Sequence, residues 1–328
     1  MNFLPRITSL LIGLICLAHM SVAQQDYYWV GGSGNWSDVN HWATASGGTT
    51  LHTIAPTSAD NVYFDAESFP SSGQSVTIDA AAQCHDFDWT GAVNFPAING
   101  NNQIEIYGSI ALNTDVTYNL EDVFLKSSDA GEVITSNGSS FGNQSIITIE
   151  GTGEWTLGGS LDVHTLKLIR GTFSTANYDV STAGQVRLSS VSGNLLDLSF
   201  GSSTINCQTL WNESAADLVL DAGTSEIITG QLRGDLNGNG PFTYYNVTFD
   251  GGGLIYGNNI LNKVTLLANS LNIESGSTQT IDQLVANGDK YNPLEISAMT
   301  DGSEATFSIN TGTISIDYVN LTDIHGIG

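Results

Sequence analysis

The apolar positions of the chain alternate with polar ones in short bursts, and no long stretch carries them at the three-to-four spacing of a helix. Val76-Thr-Ile78, Ile104-Glu-Ile106, Trp155-Thr-Leu157, Leu161-Asp-Val163 and Val186-Arg-Leu188 each put two apolar side chains on one strand face. The phrase returns as Leu166-Lys-Leu168, Leu196-Asp-Leu198, Leu218-Val-Leu220, Val247-Thr-Phe249 and Val264-Thr-Leu266, mostly running into Gly, Asn, Ser or Asp. A second short strand usually follows, as at Glu226-Ile227-Ile228 and Leu271-Asn272-Ile273. A strand–turn–strand unit repeating every roughly 20–30 residues marks a solenoid, in which each coil covers the apolar face of the one before. The pattern predicts an all-β chain with a β-solenoid repeat domain over residues 76–328, and a β-sandwich array fits it less well. Only 6 prolines interrupt it, as a chain with long hydrogen-bonded ladders requires.

Residues 24–75 have a different texture. Trp29, Trp36 and Trp42 are three of the 6 tryptophans of the chain, with Gly31, Gly32 and Gly34 between them. Glycine there permits sharp turns between bulky neighbours. Two readings of the tryptophans stand side by side. Exposed indoles would offer a platform for sugar rings, whereas buried ones would plug the open end of the ladder. Their place ahead of the repeats favours the plug, an N-terminal aromatic cap. The rest of the segment, from residue 49, reads as connecting and capping material.

Residues 1–23 have the form of a secretory signal: Arg6, an apolar run from Leu10 to Leu17, and a small-x-small site at Ser21-Val22-Ala23. The run is too short to span a bilayer well, and no later stretch could. The mature chain is therefore expected to be exported, extracellular or on the cell surface, without a transmembrane span. Ile15 stands before Cys16 where lipid attachment needs a small residue. Cys84 and Cys207 remain, far apart along coils that stack in order, so they are expected as two separate buried thiols.

Charge narrows the partners. With 33 acidic against 8 basic residues and a formal net charge of −25, the chain lacks the basic stripe of a nucleic-acid binder. Anionic lipid and polyanionic sugar are disfavoured for the same reason. Solvated strand faces account for the acid excess, with calcium sites as the alternative. Asp235, Asn237, Asn239 and Gly240 match the start of a calcium loop, with oxygens at alternate positions and glycine at the sixth. The twelfth position, which should be a bidentate Glu, is Asn246, so calcium binding no tighter than roughly 10⁻⁴ M is expected. No other cofactor is expected, and no cysteine or histidine spacing resembles a zinc site.

Candidate chemistry is sparse. Asn113-Thr-Asp115 resembles one element of polygalacturonase-like hydrolases, but the paired carboxylate, Gly-His-Gly and Arg-x-Lys elements that should follow do not. Lys167 and Arg170, with Glu150, Glu154 and Asp162 before them, have the residue types of a lyase, though nothing in their spacing puts them on one face. Nucleophile elbows and phosphate-cradling loops are missing. No catalytic residue is assigned, and the expectation is a protein that is not an enzyme.

The stretches Tyr28 to Trp42, Val76 to Gly91 with its Cys-His-Asp-Phe-Asp-Trp-Thr-Gly, Leu166 to Val180, Leu198 to Ile205 with Leu218 to Ile228, and Ile314 to Ile324 together carry a resemblance. The chain resembles the exported bacterial β-helix repeat proteins of the type IX secretion class, described as surface proteins and adhesins. The resemblance implies a right-handed parallel β-helix and a non-catalytic, adhesin-like surface segment. It implies contacts with surface polysaccharide or other cell-surface components. In similar proteins the closing Tyr-Val-Asn-Leu-Thr-Asp phrase runs on to further modules. Here it is followed only by Ile324-His-Gly-Ile-Gly328, so downstream modules of a longer polypeptide are expected. A β-helix polysaccharide lyase or hydrolase, or a carbohydrate-binding module, is the alternative.

Overall fold

The computed structural model describes residues 23–190, 192–234, 240–267, 269–309 and 312–328. The expected signal (1–22) and the calcium-loop residues Asp235, Asn237 and Asn239 lie outside the described residues. Within them the chain is all-β, its parallel strands stacked as a β-solenoid of about 12 turns, with a single 3₁₀ turn at Val39–His41. No helix among the described residues is long and apolar enough to cross a membrane.

Most turns contribute three strand segments. Asn61–Tyr63, Ser75–Thr77 and Ala82–Cys84 form one turn; Phe87–Asp88, Ala97–Gly100 and Ile104–Ile106 form the next. Each segment pairs in parallel with its equivalent one turn away. Three ladders therefore run along the axis: a first sheet through Asn61–Tyr63 and Phe87–Asp88, a second through Ser75–Thr77, and a third through Ala82–Cys84 and Ile104–Ile106. From Thr204 onward several strands continue round the corner between the second and third sheets, as Thr204–Ala215 and Glu226–Arg233 do. Such a strand belongs to two ladders at once, which links the sheets into a closed circuit.

Strand alternation sends every second side chain inward, and parallel register lays equivalent residues on top of one another. In the third sheet one inward file runs Ile104, Val123, Ile147, Leu166, Val186, Leu210. Its neighbour runs Cys84, Ile106, Leu125, Ile149, Leu168, Leu188. All are buried, and each aliphatic member contributes about 1.5–3 kcal/mol through removal from water. From Asn61 onward, turn length varies from 17 residues, Val247 to Val264, to 30, Leu284 to Ile314, and the surplus leaves as loops at the corners.

The Cys84–Trp89 stretch does not run on as one alternating strand. Cys84 ends a third-sheet strand and Phe87 begins a first-sheet strand, because the chain turns a corner at His85 and Asp86. The Asp86 carboxylate accepts from the Ser109 amide (2.8 Å) one turn on, which satisfies a donor that the corner leaves out of the ladder.

The parallel ladder begins well before Val76. Asp26–Trp29 pairs in parallel with Asn61–Tyr63 and, on its other edge, antiparallel with Trp42–Ala43. The chain thus folds back over the first edge and occupies backbone groups that would otherwise be free to recruit another strand. Trp29, Trp42, Phe64, Phe87 and Trp89 belong to the same buried cluster as the later turns, so no break in the core falls at residues 75 and 76.

Candidate functional site

The three N-terminal tryptophans are inside the protein. Trp29 and Trp42 are fully buried and Trp36 nearly so. Trp42 is edge-on to both of the others at 4.9 Å, and Trp29 stacks on His41 at 4.6 Å. Trp29 Nε1 donates to the Gly32 carbonyl (2.7 Å), and Trp42 Nε1 donates to the Trp36 carbonyl (2.8 Å). Gly32 has φ near +79°, and a Cβ there would collide with the Gln74 amide, so glycine is what lets its carbonyl face the indole. Phe64 and Trp89 extend the stack at 3.6 Å. These rings present no open platform to a sugar.

The residue types that suggested catalysis are dispersed. Asn113 bonds the Thr90 and Ala92 carbonyls of the previous turn, and its own side-chain oxygen accepts from the Asp115 amide (2.9 Å). The Asn-Thr-Asp element is therefore a corner device. Glu154 lies on the first sheet, Asp162 on the second and Lys167 on the third. Arg170 is just beyond the Lys167 strand, and its Nε donates to the Glu150 carbonyl.

Two polar groupings emerge on and beside the third sheet. Lys126 bridges Glu105 (2.7 Å) on the turn before and Glu150 (3.1 Å) on the turn after. Burial alone would raise the Glu105 pKa, but hydrogen bonds from Lys126, Tyr107 and Gln83 outweigh it and hold the carboxyl below its usual range. The bond to Glu105 raises the Lys126 pKa against the opposing effect of its own burial.

Farther along the same sheet, Lys167, Arg187, Trp211, Arg233 and Tyr256 occupy successive rungs of one outward file. The Arg187 guanidinium lies 4.9 Å from the Trp211 ring centre, and Arg233 lies 5.2 Å from it. Arg233 is also 5.0 Å from the Tyr256 ring. Cation and ring alternate along the axis, each attracting the next through the ring quadrupole. Glu213 reaches this file by a bulge: Leu188 faces Asn212 and Ser189 faces Ser214, leaving Glu213 as the extra residue. It accepts from Arg187 Nη2 (2.6 Å) and the Ser189 hydroxyl (2.8 Å). The Arg187 bond lowers its pKa, burial opposes, and Ser189 and the Lys167 charge add to the lowering.

At a corner between the third and first sheets, ligand atoms of His85, Asp129 and Glu132 lie within 4.8 Å of one another. Gly108 leaves room for the imidazole, since a Cβ there would come 2.3 Å from His85 Nδ1. The Glu132 oxygens already accept from Ser109 (2.7 Å) and Ser127 (3.3 Å), so their hydrogen bonding is met within the fold. Cys84 and Cys207 are separate free thiols, both buried. Burial raises both pKa values, that of Cys207 to about 11.

The fold defines the class: a parallel β-solenoid with aromatic packing at its N-terminal end. Family models, curated proteins and solved structures yield no match to the chain.

Proposed function

We infer that the protein is a non-catalytic, exported surface scaffold, an adhesin-like solenoid whose sides make contacts. The observation that carries this reading is the use made of its polar side chains. Glu105 and Glu150 share Lys126, Glu213 takes Arg187 and Ser189, and Glu132 takes two serines, each across successive turns. Asp60 accepts from Thr57 and from the Gln25 amide. Groups committed to holding turns together are poorly placed to move protons during a reaction. A stack of turns also makes a stiff rod with long exposed sides, which suits presentation and contact. Export rests on the amino-acid pattern of residues 1–23.

Immunoblotting of cytoplasmic, surface and medium fractions of the source cells tests the placement. Recovery at the surface or in the medium, with residues 1–23 removed, is the expected result. Retention of the uncleaved chain in the cytoplasm would remove the basis for a surface role.

A further inference from the structure

We propose that the outward file Lys167–Arg187–Trp211–Arg233–Tyr256 binds an acidic saccharide chain, laid along the solenoid axis with its carboxylates on the two arginines. This deepens the scaffold reading and rests on it only in treating the bound sugar as a ligand and not a substrate.

Local charge is the first reason. The chain carries 8 basic residues against 33 acidic, yet Lys167, Arg187 and Arg233 stand in one file. Among the described residues no carboxylate lies within ion-pair distance of Lys167 or Arg233. At physiological salt the Debye length is about 8 Å, so a ligand held on the file feels these three cations and the single Glu213 carboxylate more than the distant acid excess. The net charge of −25 therefore governs long-range approach but does not decide local contact.

The second reason is the state of the arginines. A guanidinium set against aromatic rings has its position fixed in advance, and any terminal N–H groups not used within the fold can donate to a carboxylate. Arg233 lies between Trp211 and Tyr256, its Nε donates to Gln231 (3.1 Å), and its two terminal nitrogens are the ones that meet the ligand. Arg187 lies over Trp211 with Nη2 on Glu213 (2.6 Å) and Nε buried, so it meets the ligand end-on through its remaining terminal N–H groups. Much of the side-chain entropy that binding would cost is already lost in the fold.

Spacing is the third. Adjacent rungs of a parallel ladder are about 4.8 Å apart, so Arg187 and Arg233, two rungs apart, are separated by roughly 9–10 Å along the axis. That is close to the two-residue repeat of an extended saccharide chain. Alternate sugars would thus meet an arginine, with the edges of Trp211 and Tyr256 beneath the intervening C–H groups.

The test is calorimetric titration of the intact protein with three probes. One is an oligo-uronide, one is the same oligomer with its carboxyls reduced to alcohols, and one is poly-glutamate. The proposal expects saturable oligo-uronide binding that weakens with salt, at least tenfold weaker binding of the reduced oligomer and of poly-glutamate, and at least a tenfold loss in R187Q/R233Q. R233Q alone, which leaves the Arg187–Glu213 pair in place, should lose part of the affinity with circular dichroism unchanged; K290Q should lose none. Absence of saturable oligo-uronide binding would overturn the proposal, as would equal binding of either control probe, or full affinity in R233Q and R187Q/R233Q. Release of shortened oligomers during the titration would instead overturn the non-catalytic reading while leaving the site in place.

Discussion

Asn212 stands opposite Leu188 in the third sheet, at the end of the inward file that runs through Leu125, Ile149 and Leu168. It is 2% exposed, and neither its amide nitrogen nor its amide oxygen has a hydrogen-bond partner. An amide in an aliphatic stack without partners is costly. Replacing it with leucine, similar in size, continues the file. Asn212→Leu is expected to stabilise the protein by about 1–3 kcal/mol, read as a higher urea midpoint with an unchanged slope. An unchanged or lower midpoint would mean that the amide is satisfied in solution.

The aromatic packing at the N-terminal end should be a stability determinant. Trp36 is 3% exposed and packs edge-on against Trp42. Trp36→Ala removes a large buried side chain, with an expected cost of about 3–5 kcal/mol. Because a solenoid melts by neighbouring turns, hydrogen exchange should report the loss first over residues 26–89. Unchanged exchange there would contradict the packing role.

The two thiols should be chemically silent in the folded state. Reactivity needs the thiolate and access to it, and burial denies Cys84 and Cys207 both. A maleimide at neutral pH is expected to label neither until denaturant is added, by intact-mass measurement. Labelling of Cys207 in native buffer would show that its turn opens readily.

The Glu105–Lys126–Glu150 group sets a pH signature. Glu105 has a depressed pKa, so its contribution is present above its unfolded value and lost as pH falls through the folded one. Lys126 has a raised pKa, so its contribution is present below its unfolded value and lost as pH rises through the folded one. The group therefore stabilises at neutral pH. Lys126→Met is expected to cost about 1–3 kcal/mol there. It should also lose less stability than the unaltered protein between about pH 5 and pH 3. Parallel acid limbs for the two proteins would show that Glu105 is not held by Lys126.

Much of the fold was legible because strand alternation encodes burial directly. Ile104 and Ile106, and Leu166 and Leu168, point inward as their spacing predicts. The file from Lys167 to Tyr256 was not legible, because its members are 20, 24, 22 and 23 residues apart. Unequal turns hide which residues share a rung until the register is known. Lys167 has the chemistry of a candidate base, but its ladder neighbour is Arg187, and Asp162 lies on another sheet. The bulge at Glu213 and the corner at His85 and Asp86 were likewise invisible, since both depend on how one turn meets the next. Trp211 carried the best available hint, an aromatic residue in a strand at the position where Val186-Arg-Leu188 has its outward arginine.

If this solenoid acts without turnover, it leaves polysaccharides intact. Purified protein is incubated with acidic and neutral polysaccharides, and new reducing ends and unsaturated uronides are followed over time. The expected result is no product above that of heat-denatured protein. Sustained release that Asp115→Ala, Lys167→Ala or Arg170→Ala abolishes would contradict it and make this β-solenoid an enzyme.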